Sequence, residues 1–198
     1  MHRQLAQVTI VASLLSAAAL ATARPFDSRA LAQGKPFESL ALAQGKQLQP
    51  TLTFAFEVRA TVGPPLDVGA VAQGRRRIVP ITGGTFEGAN FRGKVMPGGA
   101  DWQIIRPDGF TELDTRYTLE TDKGQIVYVQ NAGMRHAAPD VMKRLLAGES
   151  VDPTSVYFRT VPKFETASPD LQWLTRAVFV GLGERYPNDV RIRFFRLE

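Results

Sequence analysis

Apolar and polar residues alternate from residue 51 onward, and this pattern limits the chain to a β-rich architecture. Leu52, Phe54, Phe56 and Val58 alternate with polar or small residues. A period of two residues is typical of a β-strand that buries one face. Similar short runs follow at 77–82, 85–96, 101–106, 111–121, 125–131, 156–163, 177–182 and 190–197.

Glycine and proline clusters separate these runs and predict turns. They occur at Gly83-Gly84, Pro97-Gly98-Gly99, Pro107-Asp108-Gly109 and Asp122-Lys123-Gly124. Many short strands with frequent turns favour an all-β, mainly antiparallel domain, either a single closed β-barrel or a sandwich. We predict the closed barrel, and the hairpin over 111–131 is its strongest local signal.

Few segments have a helical pattern. Residues 139–147 begin with a proline, which suits the first turn of a helix, and carry an apolar stripe before Gly148. A second short turn is predicted around 171–175. The barrel is therefore expected to carry one or two short helices.

The amino terminus has the pattern of an export signal. A short basic start precedes an apolar run over 8–20, and Ala21-Thr22-Ala23 resembles a cleavage site. We predict a signal peptide over 1–23, a periplasmic or secreted mature protein and no stable membrane insertion after cleavage. An uncleaved anchor is the alternative. Residues 24–50 contain a duplicated six-residue segment and are interpreted as a linker to a domain over 51–198.

The charge does not indicate nucleic-acid binding. The whole chain carries a formal charge of +5, but residues 51–198 keep only +2 once the preceding segments are set aside. The local run Arg75-Arg76-Arg77 is interpreted as a solvated strand end. The chain has no cysteine and two histidines, which excludes thiol chemistry and disfavours a histidine-rich metal site. No cofactor-binding motif is present, so neither cofactor nor metal is expected.

The predicted strand 111–121 has one strongly polar face. Glu112, Asp114, Arg116, Thr118 and Glu120 share it. In a small barrel such a face points either to water or into an interior pocket, and alternation alone does not decide between them. If it points inward, Asp114 and Arg116 would anchor a ligand or transfer a proton. Tyr117 lies on the opposite face of a regular strand.

Further candidates combine polar groups with aromatic rings. Asp101 and Trp102 follow a double glycine, and His136 is predicted in a loop where it would act as an acid or base. Core packing, turn capping or solvent exposure would explain each of these residues equally well. The candidate ligand-binding residues are Asp101, Trp102, Glu120, Asn131, Tyr157, Arg159 and Trp173.

Several motifs in order carry a family resemblance. They include Arg76-Arg77-Ile78-Val79-Pro80-Ile81-Thr82-Gly83-Gly84-Thr85-Phe86-Glu87-Gly88, Pro97-Gly98-Gly99-Ala100-Asp101-Trp102-Gln103, Asp114-Thr115-Arg116-Tyr117, Ile126-Val127-Tyr128-Val129, Tyr157-Phe158-Arg159-Thr160, Phe164-Glu165-Thr166, Trp173-Leu174 and Val178-Phe179-Val180-Gly181. From about residue 51 to the end, the chain resembles the domain-of-unknown-function 3237 family.

The resemblance implies a compact closed β-barrel with a central cavity, association into homo-oligomers and no settled general activity. One departure is Thr175, where the family tends to carry Asn. A hydroxyl replaces only part of the hydrogen bonding of an amide. The matching positions that could face the cavity are Asp101, Trp102, Asp114, Arg116, Tyr117, Tyr157, Arg159 and Trp173.

Three functions remain open at this point. The first is a barrel that binds a small organic molecule in its interior, with an aromatic or cyclic molecule as one class of ligand. The second is a cofactor-independent lyase, isomerase or cyclase, with Asp114 or His136 as acid or base, Arg116 stabilising negative charge and Tyr117 donating a proton. The third is a structural or interaction module whose core is filled by side chains.

Overall fold

The computed structural model describes residues 49–198. The predicted signal peptide over 1–23 lies outside the described residues, as does all of the predicted linker except its last two residues. Within 49–198, none of the helices combines the length and the apolar character needed to cross a membrane.

Strands dominate the described part of the chain. One α-helix, α1, spans Pro139–Leu146, and two short 3-10 helices span Pro153–Ser155 and Pro169–Leu174. The strands are β1 (Leu52–Val62), β2 (Leu66–Val71), β3 (Gly74–Gly88), β4 (Arg92–Val95), β5 (Ala100–Ile105), β6 (Thr111–Thr121), β7 (Ile126–His136), β8 (Tyr157–Glu165), β9 (Phe179–Arg185) and β10 (Asp189–Leu197).

The strands form a ring that closes through β1. Ala60 of β1 is paired with Val190 of β10 on one side and with Gly84 of β3 on the other. The remaining neighbours pair antiparallel, and β4 and β5 successively fill one position between β3 and β6. The ring therefore has eight strand positions, and the prediction of a single closed, antiparallel β-barrel is confirmed.

The prediction of a turn at Gly83-Gly84 is wrong, because β3 runs through both residues. Gly84 has φ +129°, and a Cβ added there would lie 2.1 Å from the carbonyl oxygen of Arg59 in β1. No side chain fits at that distance. The glycine therefore allows two strands to approach closely and does not reverse the chain.

Two other segments differ from the sequence prediction. His136 is predicted in a loop, but β7 extends to it, and residues 133–136 continue the ladders with β6 and β8. β2 was not predicted. It pairs with the first half of β3 outside the ring, and nearly all of its residues are exposed. A strand without a buried face lacks the alternation on which the prediction depends.

One half of the barrel interior is aromatic. Phenylalanine rings from five inward positions pack with centroid separations of 4.5 to 6.3 Å, mostly in edge or tilted geometry. Such pairs add about 0.5–1.5 kcal/mol each beyond area burial. These residues are Phe56, Phe86, Phe91, Phe164 and Phe194.

The opposite end of the barrel is covered by α1. The antiparallel order brings the start of β3 and the ends of β7 and β9 to this end, and α1 follows β7 directly. Met142 and Leu145 of the helix are buried in the core. The Leu146 carbonyl accepts a hydrogen bond from Arg77 Nη1 at 3.4 Å. We refer to this end as the α1 end.

Candidate functional site

A small cavity lies inside the barrel toward the α1 end. Its volume is about 40 Å³, enough for about three water molecules. Its apolar wall includes Val58, Ala60, Ile81 and Ile192. The polar and charged residues that line it are Asp101, Gln103, Thr115, Tyr117, Arg135, Thr160 and Arg185.

Asp101 provides the carboxylate of this cavity. Alternation along β5 points Asp101 and Gln103 inward, opposite Val79 and Arg77 of β3. Asp101 Oδ2 accepts a hydrogen bond from Gln103 Nε2 at 2.6 Å, while Oδ1 is buried without a partner. Burial raises the pKa of the Asp101 carboxyl above its usual range, although the side chains of Gln103 and Thr115 and then the Arg135 charge oppose the shift. Burial therefore acts against the charged carboxylate, and the neighbouring donors and the Arg135 charge act in its favour.

Four neutral polar residues share the cavity with Asp101, namely Gln103, Thr115, Tyr117 and Thr160. Tyr117 is 4% exposed, and neither its hydroxyl nor the Thr160 hydroxyl has a hydrogen-bond partner. Gln103 Oε1 is also buried and unpartnered. Burial raises the pKa of the Tyr117 hydroxyl well above its ordinary value, so it remains a donor at neutral pH. The cavity thus offers both donors and acceptors.

Three arginines occupy inward positions at the α1 end. Arg135 is 3% exposed, and its guanidinium lies 5.7 Å from the centroid of the Phe158 ring. Burial lowers the pKa of Arg135 to about 10, with the Asp101 charge opposing the decrease. Arg77 and Arg185 are half-buried, and burial lowers their pKa values as well. All three remain charged at neutral pH.

The prediction that Asp114 and Arg116 anchor a ligand inside the barrel is wrong. They form an ion pair of 3.1 Å on the outer surface, where their side chains are 42% and 48% exposed. The inward face of β6 carries Leu113, Tyr117 and Leu119, which are buried. The apolar face fills the interior, and the polar face meets solvent.

Glu120 shares this outer face and pairs with Lys94 of β4 at 3.3 Å. Tyr117, on the other face, points into the cavity. The trio of Asp114, Arg116 and Tyr117 considered for an enzyme is therefore not assembled. A bulge that would bring its members to one side is absent from the ladder that β6 forms with β7.

His136, Tyr157 and Arg159 come together, but outside the barrel. His136 ends β7 and is exposed, with its ring stacked between Phe110 at 5.8 Å and Tyr157 at 4.9 Å. The Arg159 guanidinium lies 4.9 Å from the centroid of the Tyr157 ring. Tyr157 and Arg159 therefore do not line the cavity, and His136 lies in a strand and not in a loop. The predictions for these three residues are wrong about their location.

The two tryptophans do not line the cavity. Trp102 points away from it on β5, and its carbonyl accepts a hydrogen bond from Arg76 Nη1 at 3.2 Å. Trp173 packs in the aromatic half, with its ring 5.8 Å from that of Phe91. Thr175, just after it, is exposed and donates to the Gln172 carbonyl at 3.0 Å.

Asp101 and Asn131 are the polar ligand-binding candidates that the structure places inside. Asn131 faces Thr115 across the β6–β7 ladder and is fully buried, and both of its amide atoms lack partners. Asp101 lines the cavity itself. With Tyr117, they are the predicted site residues that point into the barrel.

Other interior polar residues were missed by the sequence interpretation. Gln103 lies two residues after Asp101, so the alternation that placed one also placed the other. Arg135 lies four residues after Asn131 and shares its face once β7 is extended. Within the run 75–77, Arg75 is exposed and pairs with Asp67, whereas the Arg77 side chain lies on the inward face of β3. Thr160 and Arg185 had no distinguishing signal.

Comparisons with known proteins agree with this architecture. A family model described as "Protein of unknown function (DUF3237)" matches residues 50–197. A UPF0311 protein of Rhodopseudomonas palustris strain TIE-1 is 44% identical over 147 residues, covering 73% of this chain and 96% of that protein.

Solved structures give the same result. A conserved protein of unknown function from Rhodopseudomonas palustris has a TM-score of 0.75 and 40% identity, covering 77% of this chain and 100% of that one. A β-barrel-like protein from Acinetobacter baumannii has a TM-score of 0.69 and 38% identity, covering 78% and 100%. With the family model matching most of its length, the chain belongs to the DUF3237 family.

Proposed function

We propose that this barrel binds a small organic molecule in the cavity at the α1 end. The polar part of the ligand meets Asp101, Gln103 and Arg135, and its apolar part meets the aliphatic wall. This retains the interior binding predicted from the sequence and replaces its polar anchor. The outer residues Asp114 and Arg116 have no part in it.

The observation that carries the proposal is the set of polar atoms around the cavity that lack partners. A buried polar group without a hydrogen bond costs about 1–3 kcal/mol. Native proteins contain few such groups, and clusters of them call for an explanation. A ligand that donates and accepts at these positions offsets the cost. The atoms are Asp101 Oδ1, Gln103 Oε1, Tyr117 Oη, Arg135 Nε and Thr160 Oγ1.

The cavity size limits how the ligand enters. About 40 Å³ accommodates a polar head group of a few atoms. Typical ligand pockets are several times larger, about 300–1,000 Å³ on a more inclusive measure. A larger molecule therefore requires α1 or the cavity side chains to move outward.

A substitution that fills the cavity tests the proposal. Ala60 lines the cavity, whereas Ala132 lies on the exposed face of β7, so Ala60→Leu and Ala132→Leu add the same side chain inside and outside. Full-length proteins are purified, checked for folding by circular dichroism and denatured, and released small molecules are identified by mass spectrometry. The same variants are screened for stabilisation by a library of small metabolites.

We expect wild type and Ala132→Leu to carry or bind the same molecule and Ala60→Leu to lose it. Equal binding by folded Ala60→Leu would remove the cavity as the binding site. Failure of wild type to carry or bind any molecule would leave the third function considered, a barrel filled by its own side chains.

One observation favours a second candidate, an enzyme without a cofactor. Among residues 49–198, Asp101 is the one carboxylate that lines the cavity, and burial raises its pKa toward the range useful for proton transfer. Tyr117 supplies a second proton donor in the same cavity. Asp101 thus takes the acid or base role assigned from the sequence to Asp114 or His136. Asp101→Asn is expected to stop conversion of the bound molecule while retaining its affinity.

Export to the periplasm or outside the cell and assembly into homo-oligomers also remain proposals. The first is tested by amino-terminal sequencing of the protein recovered from its native compartment, with a new terminus after Ala23 as the expected result. The second is tested by sedimentation equilibrium of the purified protein. A retained Met1 or a monomeric mass would contradict the respective proposal.

A further inference from the structure

We propose that the molecule bound in this cavity is an anion, most simply a carboxylate, recognised by the arginines at the α1 end. This inference rests on the proposed function, because it names the chemical class of the ligand at the same site. It depends on the balance of charge at the α1 end, whereas the binding proposal depends on polar atoms that lack hydrogen-bond partners.

The strand order brings three cations to one end. Arg77 lies near the start of β3, Arg135 near the end of β7 and Arg185 at the end of β9. Each shares the parity of buried neighbours on its strand, so each points inward. Their charges lie close enough for Arg77 and Arg185 to lower the pKa of Arg135, and for Arg77 to lower that of Arg185.

The protein supplies little negative charge to balance them. In the part of the chain that the structure describes, none of these three arginines forms an ion pair within 4.0 Å. Every ion pair at that distance is formed by a different arginine or lysine. At longer range Asp67 and then Asp101 act on Arg77, and Asp101 also acts on Arg135. Asp189 acts on Arg185. Asp67 and Asp189 each pair with another arginine, Arg75 and Arg191. The α1 end therefore carries an excess of positive charge.

Neutral groups fix two of the guanidinium groups in place. Arg185 donates to the carbonyls of Asp189 and Pro187 at 3.0 and 3.1 Å, and Arg77 donates to that of Leu146. Such contacts orient an arginine without cancelling its charge. A guanidinium has five N–H donors, so several remain for a ligand.

The Arg135 guanidinium is the most deeply buried of the three. It lies beside the Phe158 ring, and its Nε has no partner. An isolated buried charge is costly, and an anion in the same cavity offsets that cost. The planar guanidinium matches the two oxygens of a carboxylate with two parallel hydrogen bonds. Arg135 is therefore the expected primary contact.

Matched neutral and charged probes test the inference. Acetate and acetamide have nearly the same shape and are close in size to the head group of a few atoms that the cavity accommodates, and benzoate and benzamide form a larger pair. Binding to the full-length protein is measured by NMR titration at constant ionic strength, so that nonspecific attraction is equal. We expect each acid to bind wild type about tenfold or more tightly than its amide, as two charge-assisted hydrogen bonds imply.

Arg135→Gln is expected to remove most of this preference, because it should weaken binding of the acid much more than binding of the amide. Arg185→Gln, at the same end, serves if Arg135→Gln does not fold. Arg159→Gln is the control, because Arg159 lies on the outer face, and it should keep the preference for the acid.

The outcomes separate the two proposals. Equal binding of acid and amide to wild type, lost in Ala60→Leu, would overturn the anion and retain the cavity. Loss of acid binding in Arg159→Gln, with Arg135→Gln unaffected, would place the anion on the surface and overturn the inference. Absence of binding by all four probes would count against both proposals.

Discussion

Asp101 and Asp114 are acids in neighbouring strands, each close to an arginine, yet their surroundings are opposite. Asp101 points into the barrel, and its buried oxygen Oδ1 lacks a partner. Asp114 points to solvent and pairs with Arg116. A single step in strand parity decides whether the same side chain is a solvated surface charge or part of an interior site. For an individual acid, burial therefore determines its role more than the arginine nearest to it does.

We expect Asp101→Asn to stabilise the protein at neutral pH. The folded state raises the pKa of Asp101 above its unfolded value, so burial of the charged form weakens folding at pH values above the folded pKa. Asparagine removes that penalty and still accepts from Gln103. The wild-type protein recovers the lost stability as the pH falls through the folded pKa, with full recovery below the unfolded value.

Thermal melts of wild type and Asp101→Asn across the acid to neutral range test this. The difference in Tm should be largest near pH 7 and shrink on acidification. Asp114→Asn is the matched control and should change stability by no more than about 1 kcal/mol, since exposed ion pairs contribute little. A lower Tm for Asp101→Asn at pH 7 would mean that its charge is needed to balance Arg135.

Gly84 gives a second prediction at the same scale. We expect Gly84→Ala to destabilise the barrel by more than about 2 kcal/mol, because the added Cβ meets a backbone oxygen in β1 and the φ is positive. Gly109→Ala is the control. Gly109 also has positive φ, +83°, but nothing lies within 4 Å of the added Cβ.

The free energies of unfolding of both variants, measured by urea denaturation, separate the cost of the positive φ from the cost of the contact between strands. The control should lose only about 1–2 kcal/mol, the cost of the left-handed conformation. Equal losses in the two variants would contradict the role assigned to close approach of β1 and β3.

The polar face of β6 shows why the site was only partly predictable at the level of residues. The sequence correctly separated Asp114, Arg116 and Glu120 from Leu113, Tyr117 and Leu119. It did not say which set faced inward, and the larger number of charges favoured the wrong set for a ligand site. The apolar set lies inside because burying it contributes more than exposing it. Asp101 was predictable as a candidate because it follows a double glycine.

At the scale of elements, local signals were reliable where a segment buries one face. β6 occupies the predicted residues 111–121, and α1 ends one residue before the predicted boundary at 147. β2 has no buried face and left no pattern. The double glycine in β3 predicted a turn. The structure shows instead that glycine is needed there because β3 lies close to β1, which is distant in sequence. Such contacts become visible only when the barrel closes.

The docking of α1 gives the prediction at this scale. Leu145 is buried against the core, and we expect Leu145→Ala to lower the free energy of unfolding by about 2–5 kcal/mol. Lys143→Ala, on the exposed side of the same helix, should change it by less than about 0.5 kcal/mol. Chemical denaturation measures both values. A small effect of Leu145→Ala would show that the helix is not part of the cooperative unit.

The whole barrel divides into two halves with different composition. The aromatic half contains close-packed rings, whereas the α1 end contains a cavity, unpartnered polar atoms and three arginines. Polar groups without partners oppose folding, and well-packed rings favour it. A barrel can therefore retain a costly polar end because the other end stabilises the common sheet. The family resemblance anticipated the closed barrel and its cavity, but not this division.

This division predicts opposite effects of two substitutions. Phe194→Leu, in the aromatic half, should lower stability by about 1–2 kcal/mol and leave acetate binding unchanged. Thr160→Val, in the cavity, replaces an unpartnered hydroxyl by a methyl group of similar size. It should leave stability unchanged or increase it by about 1 kcal/mol, because the wild-type hydroxyl gives up its hydrogen bonds to water on folding and gains none within the protein. If the Thr160 hydroxyl contacts the ligand, the same change weakens acetate binding several-fold.

Urea denaturation and NMR titration on the same samples test both effects. The expected result is that Phe194→Leu lowers stability without lowering affinity, and that Thr160→Val lowers affinity without lowering stability. A general loss of structure would lower both quantities in the same variant. If Thr160→Val lowered stability while acetate bound as before, its hydroxyl would have a structural partner within the protein. The polar end would then be part of the core, and a ligand would not be needed to explain its composition.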